Sequence, residues 1–172
     1  MHKRIINQQE FNGLVSTICR DIAKSGWIPD YIVGITRGGL LPAVMISQYF
    51  NVPCETLKVS LRDHGGENPT ESNLWMAEEA FGNLDAPKQI LIVDDINDTG
   101  ATINWIVNDW QSSCFPEGER WKFVWNNSTR FATVVNNLSS NAKVKMDFVG
   151  LDVDKSVEDV WIEFPYEEWW TK

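Results

Sequence analysis

Two short stretches of this sequence place charge beside unshielded backbone. In the first, Ile90-Leu91-Ile92-Val93 runs into Asp94-Asp95 and on through Ile96 and Asn97 to Asp98-Thr99-Gly100-Ala101-Thr102. In the second, Arg37-Gly38-Gly39 follows the β-rich run Tyr31-Ile32-Val33-Gly34-Ile35-Thr36. Residues 98–102 offer consecutive backbone N–H groups and two hydroxyls at the start of a helical pattern, which suits a phosphate monoester. Arg37 and its two glycines let backbone and guanidinium close on a second anionic group. Two facing anion sites imply a ligand phosphorylated at both ends. Asp94 and Asp95 lie between them and would repel such a ligand unless they hold its hydroxyls or a Mg²⁺ ion. Capping of the following turn is the alternative use of two acids, and four apolar residues leading straight into both make it the weaker one.

Positioning such loops requires strands that end where they begin. Ligands of open α/β sheets bind beyond the carboxyl ends of the strands, and both loops follow a strand and open a helix. The pattern predicts strands over 31–36 and 89–94 and helices over 40–50 and 101–112, with Pro42 tolerated in the first turn of the former. Phe11, Leu14, Val15, Ile18, Cys19 and Ile22 share one helical face, with Asn7 and Glu10 as a capping box and Ser25-Gly26 as the stop. Residues 54–61 predict a strand buried on both faces, and strands are also expected near 131–135 and 147–153. Residues 62–72 are polar with two glycines and a proline, a length and composition that suit a lid. Residues 73–81 are open between helix and extended arm. The insert 114–129 suggests no function, and the terminal aromatics from Val160 to Trp170 predict a seal over one end of the core. Alternation of helices with buried strands gives the fold class: α/β, one domain over 1–172, a mostly parallel central sheet with helices on both faces.

Composition narrows the class further. The chain has 172 residues, 43% of them apolar, and a net charge of −9. That balance argues against nucleic acid, whose binding is dominated by Lys and Arg neutralising phosphates. No apolar run approaches the roughly 18 to 20 residues that span a bilayer, and the first residues lack the apolar core of a secretory signal, so a cytoplasmic protein is expected. Cys19, Cys54 and Cys114 form no CxxC and predict reduced thiols. GxGxxG and GxxxxGK[ST] are absent, which disfavours dinucleotide-binding and P-loop readings. A haloacid-dehalogenase-like phosphatase needs an acid where Ile96 stands. A receiver domain is disfavoured because 89 residues precede Ile90 and only 18 follow Asp154.

The stretch from Ile90 to Thr102 resembles the ribose-phosphate signature of the type I phosphoribosyltransferases, and Val33 to Gly39 resembles that family's pyrophosphate loop. Asp159-Val160-Trp161-Ile162-Glu163-Phe164-Pro165-Tyr166 is similar to the base-binding segment of bacterial xanthine-guanine and hypoxanthine phosphoribosyltransferases. The resemblance implies transfer of 5-phosphoribosyl from phosphoribosyl pyrophosphate to a nucleobase, most readily a 6-oxopurine (hypoxanthine, guanine or xanthine), with release of pyrophosphate and assistance from Mg²⁺. It implies that Asp98, Thr99, Gly100, Ala101 and Thr102 cradle the 5-phosphate and that Arg37, Gly38 and Gly39 bind the pyrophosphate. Asp94 and Asp95 would hold the ribose hydroxyls and the metal shell, and Asp98 would either move a proton at the base or only anchor. Trp161 would stack on the base and Ile162 would offer backbone hydrogen bonds. Purine-specific relatives carry a lysine after the signature where this chain has Asn136-Asn137, so Asn137 is expected to meet the base edge, with Lys143 and Lys145 as alternatives. A small hood from about 60–80 and 155–172, with Arg62, Asp63 and His64 as candidates, and a homodimer or homotetramer complete the implied picture. The alternative function is a catalytically silent regulator of the same fold that binds phosphoribosyl pyrophosphate.

Overall fold

The computed structural model describes residues 1–59, 61, 73–82 and 85–172; the expected lid at 62–72, with Arg62, Asp63 and His64, lies outside them. In chain order the elements are β1 (His2–Ile5), α1 (Gln8–Ser25), β2 (Tyr31–Thr36), α2 (Leu40–Phe50), β3 (Cys54–Lys58), α3 (Leu74–Phe81), β4 (Ile90–Asn97), α4 (Ala101–Ser113), β5 (Thr129–Asn137), β6 (Phe148–Val153) and β7 (Val160–Glu163), with short 3₁₀ turns at Glu119–Phe123 and Trp169–Thr171. Five strands form one parallel sheet in the order β3-β2-β4-β5-β6, and β1 pairs in parallel with β7 in a separate two-stranded sheet.

The period of two along each central strand divides the core. Ile32, Leu91 and Val93 point to the face covered by α1 and α2, where Phe11, Ile18, Ile22, Ala43 and Ile46 are buried. Val33, Ile35, Ile90 and Ile92 point to the other face, against Met76, Ala80, Ile103, Ile106 and Trp110 of α3 and α4. Two-sided burial explains why β2 and β4 read as unbroken apolar runs. The chain reverses sharply only where sequence allows it: Asn7 caps α1 by accepting the Glu10 N–H at 2.8 Å, and Gly26 closes it at φ 74°. The Glu10 carboxylate does not complete the box but takes the Arg4 guanidinium at 2.7 Å.

Several expectations change. β3 lies at the sheet edge with an exposed, interrupted pattern, so it is not buried on both faces. Residues 73–81 resolve as helix, because Met76, Ala77, Ala80 and Phe81 share one buried face. β4 runs three residues past Asp94, since Ile96 and Asn97 continue to pair with Val135 and Asn136 of β5. The insert packs against the α4 side of the sheet: Trp121 is buried, stacks on Trp125 at 5.4 Å, and donates its indole N–H to the Cys114 carbonyl at 2.8 Å. Among the terminal aromatics Phe164 is buried, whereas Trp169 and Trp170 stand in solvent, so only part of that segment seals the core. Among the described residues, no helix is long and apolar enough to cross a membrane.

Candidate active site

The carboxyl ends of β2 and β4 open into one cavity of about 790 Å³. Its walls include Arg37 and Gly38 from the loop after β2, Asp94 to Ile103 from β4 and the start of α4, and Lys155, Trp161, Ile162 and Phe164 from the C-terminal segment. Parallel pairing of β2 with β4 brings the two glycine-bearing loops to the same edge.

The loop after β2, entered through a cis Thr36–Arg37 peptide, is pressed onto β4. A Cβ on Gly38 would lie 2.0 Å from Asp95 Oδ2, and one on Gly39 would lie 2.3 Å from the Val93 carbonyl oxygen. These glycines therefore let the loop reach the acid-bearing strand, in addition to any approach to a ligand. Arg37 itself is exposed on the cavity wall.

The signature loop is equally constrained. Gly100 sits at φ 89°, and a Cβ there would meet the Ala142 nitrogen at 2.3 Å. The β5–β6 connection folds over it, with the Asn141 N–H donating to the Thr99 carbonyl at 2.9 Å and Asn104 bonding both the Asn141 carbonyl and the Lys143 N–H. The Thr99 hydroxyl accepts the Ala101 N–H at 3.2 Å. Helix α4 has no acid in its first turn, so no side chain of that turn competes for its N-terminal N–H groups.

Asp94 and Asp95 each accept the N–H of the next residue, at 2.9 and 2.7 Å. Because the strand continues beyond them, they do not cap a turn. Burial, reinforced by the charge of Asp95, pushes the Asp94 carboxyl well above the usual carboxylate range. Asp95 is held from the opposite side: the Tyr166 hydroxyl donates to its Oδ2 at 2.7 Å. Burial and the Asp95 charge raise the Tyr166 phenol, so its proton stays on.

At the far end Trp161 keeps 43% of its surface, leaving a ring face available. His2 N–H donates to the Asp159 carbonyl and Ile6 N–H to the Glu163 carbonyl. This parity turns the odd residues of β7 toward β1 and leaves the N–H and C=O of Ile162 on the strand's other edge. The C-terminal clamp is ionic: Lys172 reaches Glu163 at 3.1 Å and the Phe164 and Glu167 carbonyls at 3.0 and 2.8 Å, and Lys3 also pairs with Glu163.

Among known proteins, a model of the phosphoribosyl transferase domain matches residues 2–168. The chain belongs to the phosphoribosyltransferase family. It is 25% identical over 158 residues to a hypoxanthine-guanine phosphoribosyltransferase of Schizosaccharomyces pombe, covering 81% of this chain and 77% of that one. It is also 25% identical over 178 residues to a xanthine-guanine phosphoribosyltransferase of Cereibacter sphaeroides, covering 97% and 92%. A purine phosphoribosyltransferase from Pyrococcus horikoshii shares the fold at a TM-score of 0.67, with 22% identity over 98% of this chain and 96% of that one.

Within this phosphoribosyltransferase, Arg37, Gly38, Asp94, Asp95, Asp98, Thr99, Gly100, Ala101, Thr102, Trp161 and Ile162 all reach one cavity, while Gly39 lies behind it against β4. Asn137 does not reach it. Its amide donates to the Asp98 carbonyl at 2.8 Å, and its Oδ1 accepts from the Ser139 N–H, the Ser139 hydroxyl and the Lys155 N–H. With 6% of its surface exposed, it ties loops together instead of meeting a base as expected. Lys143 and Lys145 are exposed away from the cavity. Sequence reasoning passed over Lys155 and Tyr166, whose roles depend on contacts across long sequence separations; only the position of Tyr166 inside the terminal motif hinted at one.

Proposed function

We propose that this phosphoribosyltransferase moves 5-phosphoribosyl from phosphoribosyl pyrophosphate to a 6-oxopurine, as hypoxanthine, guanine or xanthine. The observation that carries this reading is one cavity with a glycine-bearing loop on each side of two carboxylates, and with the exposed Trp161 ring and the outer edge of β7 at its far end. The names of the relatives support the base class.

In this reading the start of α4 holds the 5-phosphate, and Arg37 with the Gly38 backbone holds the pyrophosphate. The C1′–O bond to pyrophosphate breaks as a ring nitrogen of the base bonds to C1′. Oxocarbenium character on the ribose is steadied by the Asp94 and Asp95 carboxylates. The proton on the ring nitrogen goes to Asp98, on the cavity wall. Trp161 stacks on the base and Ile162 offers its backbone N–H and C=O.

The residues also fit Mg²⁺. Asp94 is a half-buried carboxyl beside a second acid, an arrangement relieved by a cation. Among the described residues no three of His, Cys, Asp and Glu gather to bind metal, so the two acids and the ligand's own oxygens would complete the shell. When bound, the ion would neutralise charge on the pyrophosphate.

The exposed apolar side chains of α2, among them Leu41, Val44 and Tyr49, support assembly as a dimer or tetramer, which light scattering tests. The enzymatic reading is tested by pyrophosphate release from phosphoribosyl pyrophosphate and Mg²⁺ with a panel of bases. Release with the 6-oxopurines is expected; no release with any base would sink it.

A further inference from the structure

A second cavity, of about 290 Å³, opens at the other end of the central sheet. Its wall holds Gln89 and Ser128, the residues just before β4 and β5, so it lies about 17 Å along β4 from Asp94. Trp27 joins from the turn after α1, and the insert 114–129 contributes Arg120, Phe123 and Val124. The insert side of the wall is fixed. The Arg120 guanidinium lies over the Phe81 ring at 4.8 Å, and its Nη1 donates to the Phe81 and Gly82 carbonyls. The Asn127 amide donates to the Phe123 carbonyl at 2.9 Å, and Arg130 Nε donates to the Asn127 carbonyl at 2.8 Å.

Two residues of this wall keep a buried polar atom without a partner among the described residues: Trp27, 7% exposed, at its indole Nε1, and Ser128 at its hydroxyl. A buried donor with no acceptor costs free energy, and a ligand oxygen is one way to satisfy it. The Trp27 ring stacks on Phe148 at 6.2 Å and has the Arg130 guanidinium over it at 4.8 Å. What it has left for a ligand is its edge, where the N–H sits. Charge points the same way. In a chain of net charge −9, no Asp or Glu lines this cavity among the described residues, while exposed Arg120 does. Phe123, 63% exposed, presents an open ring. The volume lies at the lower end for small-ligand cavities, which suits one or two fused rings.

We infer that this cavity is a second binding site, for a planar aromatic carboxylate. The ring lies against Phe123 and Val124, and the carboxylate sits on the Arg120 guanidinium with one oxygen turned to the Trp27 indole N–H. The site goes beyond phosphoribosyl transfer and does not depend on it, because occupancy is read by binding alone. Trp161 offers an aromatic compound a rival place in the active-site cavity, so the readout has to be specific to position.

The test is titration of 2-naphthoate, and of its neutral analogue 2-naphthamide, into the ¹⁵N-labelled wild type, Arg120→Gln and Phe123→Glu, followed by the indole N–H resonances. Those of Trp27 and Trp161 are identified by their loss in Trp27→Phe and Trp161→Phe. The Trp27 resonance is expected to shift saturably with the acid while that of Trp161 stays in place. The acid should bind at least about tenfold more tightly than the amide, the scale of one charged hydrogen bond. Arg120→Gln should erase that preference by weakening the acid alone. Should it lose its cooperative melt, Phe123→Glu, changed at an exposed position, decides. It should weaken the acid by at least about tenfold through lost ring contact and like charge. A Trp27 resonance that does not move up to about 10 mM acid overturns the inference. So do equal affinities for acid and amide, a preference kept in folded Arg120→Gln, or unweakened binding in Phe123→Glu. A shift at Trp161 without one at Trp27 places the compound in the active-site cavity and overturns it too.

Discussion

Asp94 shows how a single residue trades stability for binding. Its carboxyl is raised above the usual range by burial and by Asp95. The folded chain therefore binds a proton there more readily than the unfolded chain. Stability from this site is greatest at low pH and falls as pH rises from the ordinary carboxylate range through the raised value. Asp94→Asn removes that loss, so at neutral pH the variant should melt higher, by about 2–4 °C for each kcal/mol relieved in a chain of this size. It should also lose turnover, because the proposed ribose and metal contacts need the carboxylate. Melting curves of both proteins at two pH values check this, and a variant that melts lower at neutral pH contradicts it. Gly38 supplies the converse case. In Gly38→Ala the new Cβ must displace Asp95 Oδ2 from 2.0 Å, so kcat/KM for phosphoribosyl pyrophosphate should fall by at least about tenfold through misplacement of the acid. Steady-state kinetics at saturating base would show it.

At the scale of elements, the C-terminal segment is tied to the acid-bearing strand through Tyr166. The phenol bonds Asp95 across 71 positions and stacks on Phe164 at 5.5 Å. Tyr166→Phe should cost about 1 kcal/mol of stability and raise KM for phosphoribosyl pyrophosphate while leaving that for the base nearly unchanged. A base KM that rises instead would assign Tyr166 to the other end of the cavity. Trp161→Ala should do the reverse, raising the base KM by about tenfold through loss of stacking. Much of this arrangement was legible in sequence. β2 and β4 announce themselves as apolar runs because both faces are buried, and the glycine loops follow them at once. β1 was not, since His2-Lys3-Arg4-Ile5 has no strand pattern of its own and is made a strand by pairing with β7 at the far end of the chain. Asn137 illustrates the same limit at the site: its hydrogen-bonding capacity is visible from residue type, whereas the Ser139, Asp98 and Lys155 groups that consume it are brought there by the fold.

For the whole molecule, the proposed reading has a chain of net charge −9 hold a polyanion by local means. Backbone N–H groups at two helix starts, one exposed arginine and a metal-competent acid pair replace a basic surface. Long-range attraction is therefore absent, and association with phosphoribosyl pyrophosphate should gain little when salt is lowered from 150 to about 15 mM, in contrast to a protein with a basic cleft. In the proposed reading, sugar chemistry lies between these loops and base selection in the C-terminal segment. The most direct measurement is product analysis after incubating the wild type with phosphoribosyl pyrophosphate, Mg²⁺ and hypoxanthine. Inosine 5′-monophosphate and pyrophosphate formed in equal amounts, with no nucleotide from adenine under the same conditions, is the predicted result; pyrophosphate without nucleotide, or no product from any 6-oxopurine, would contradict it.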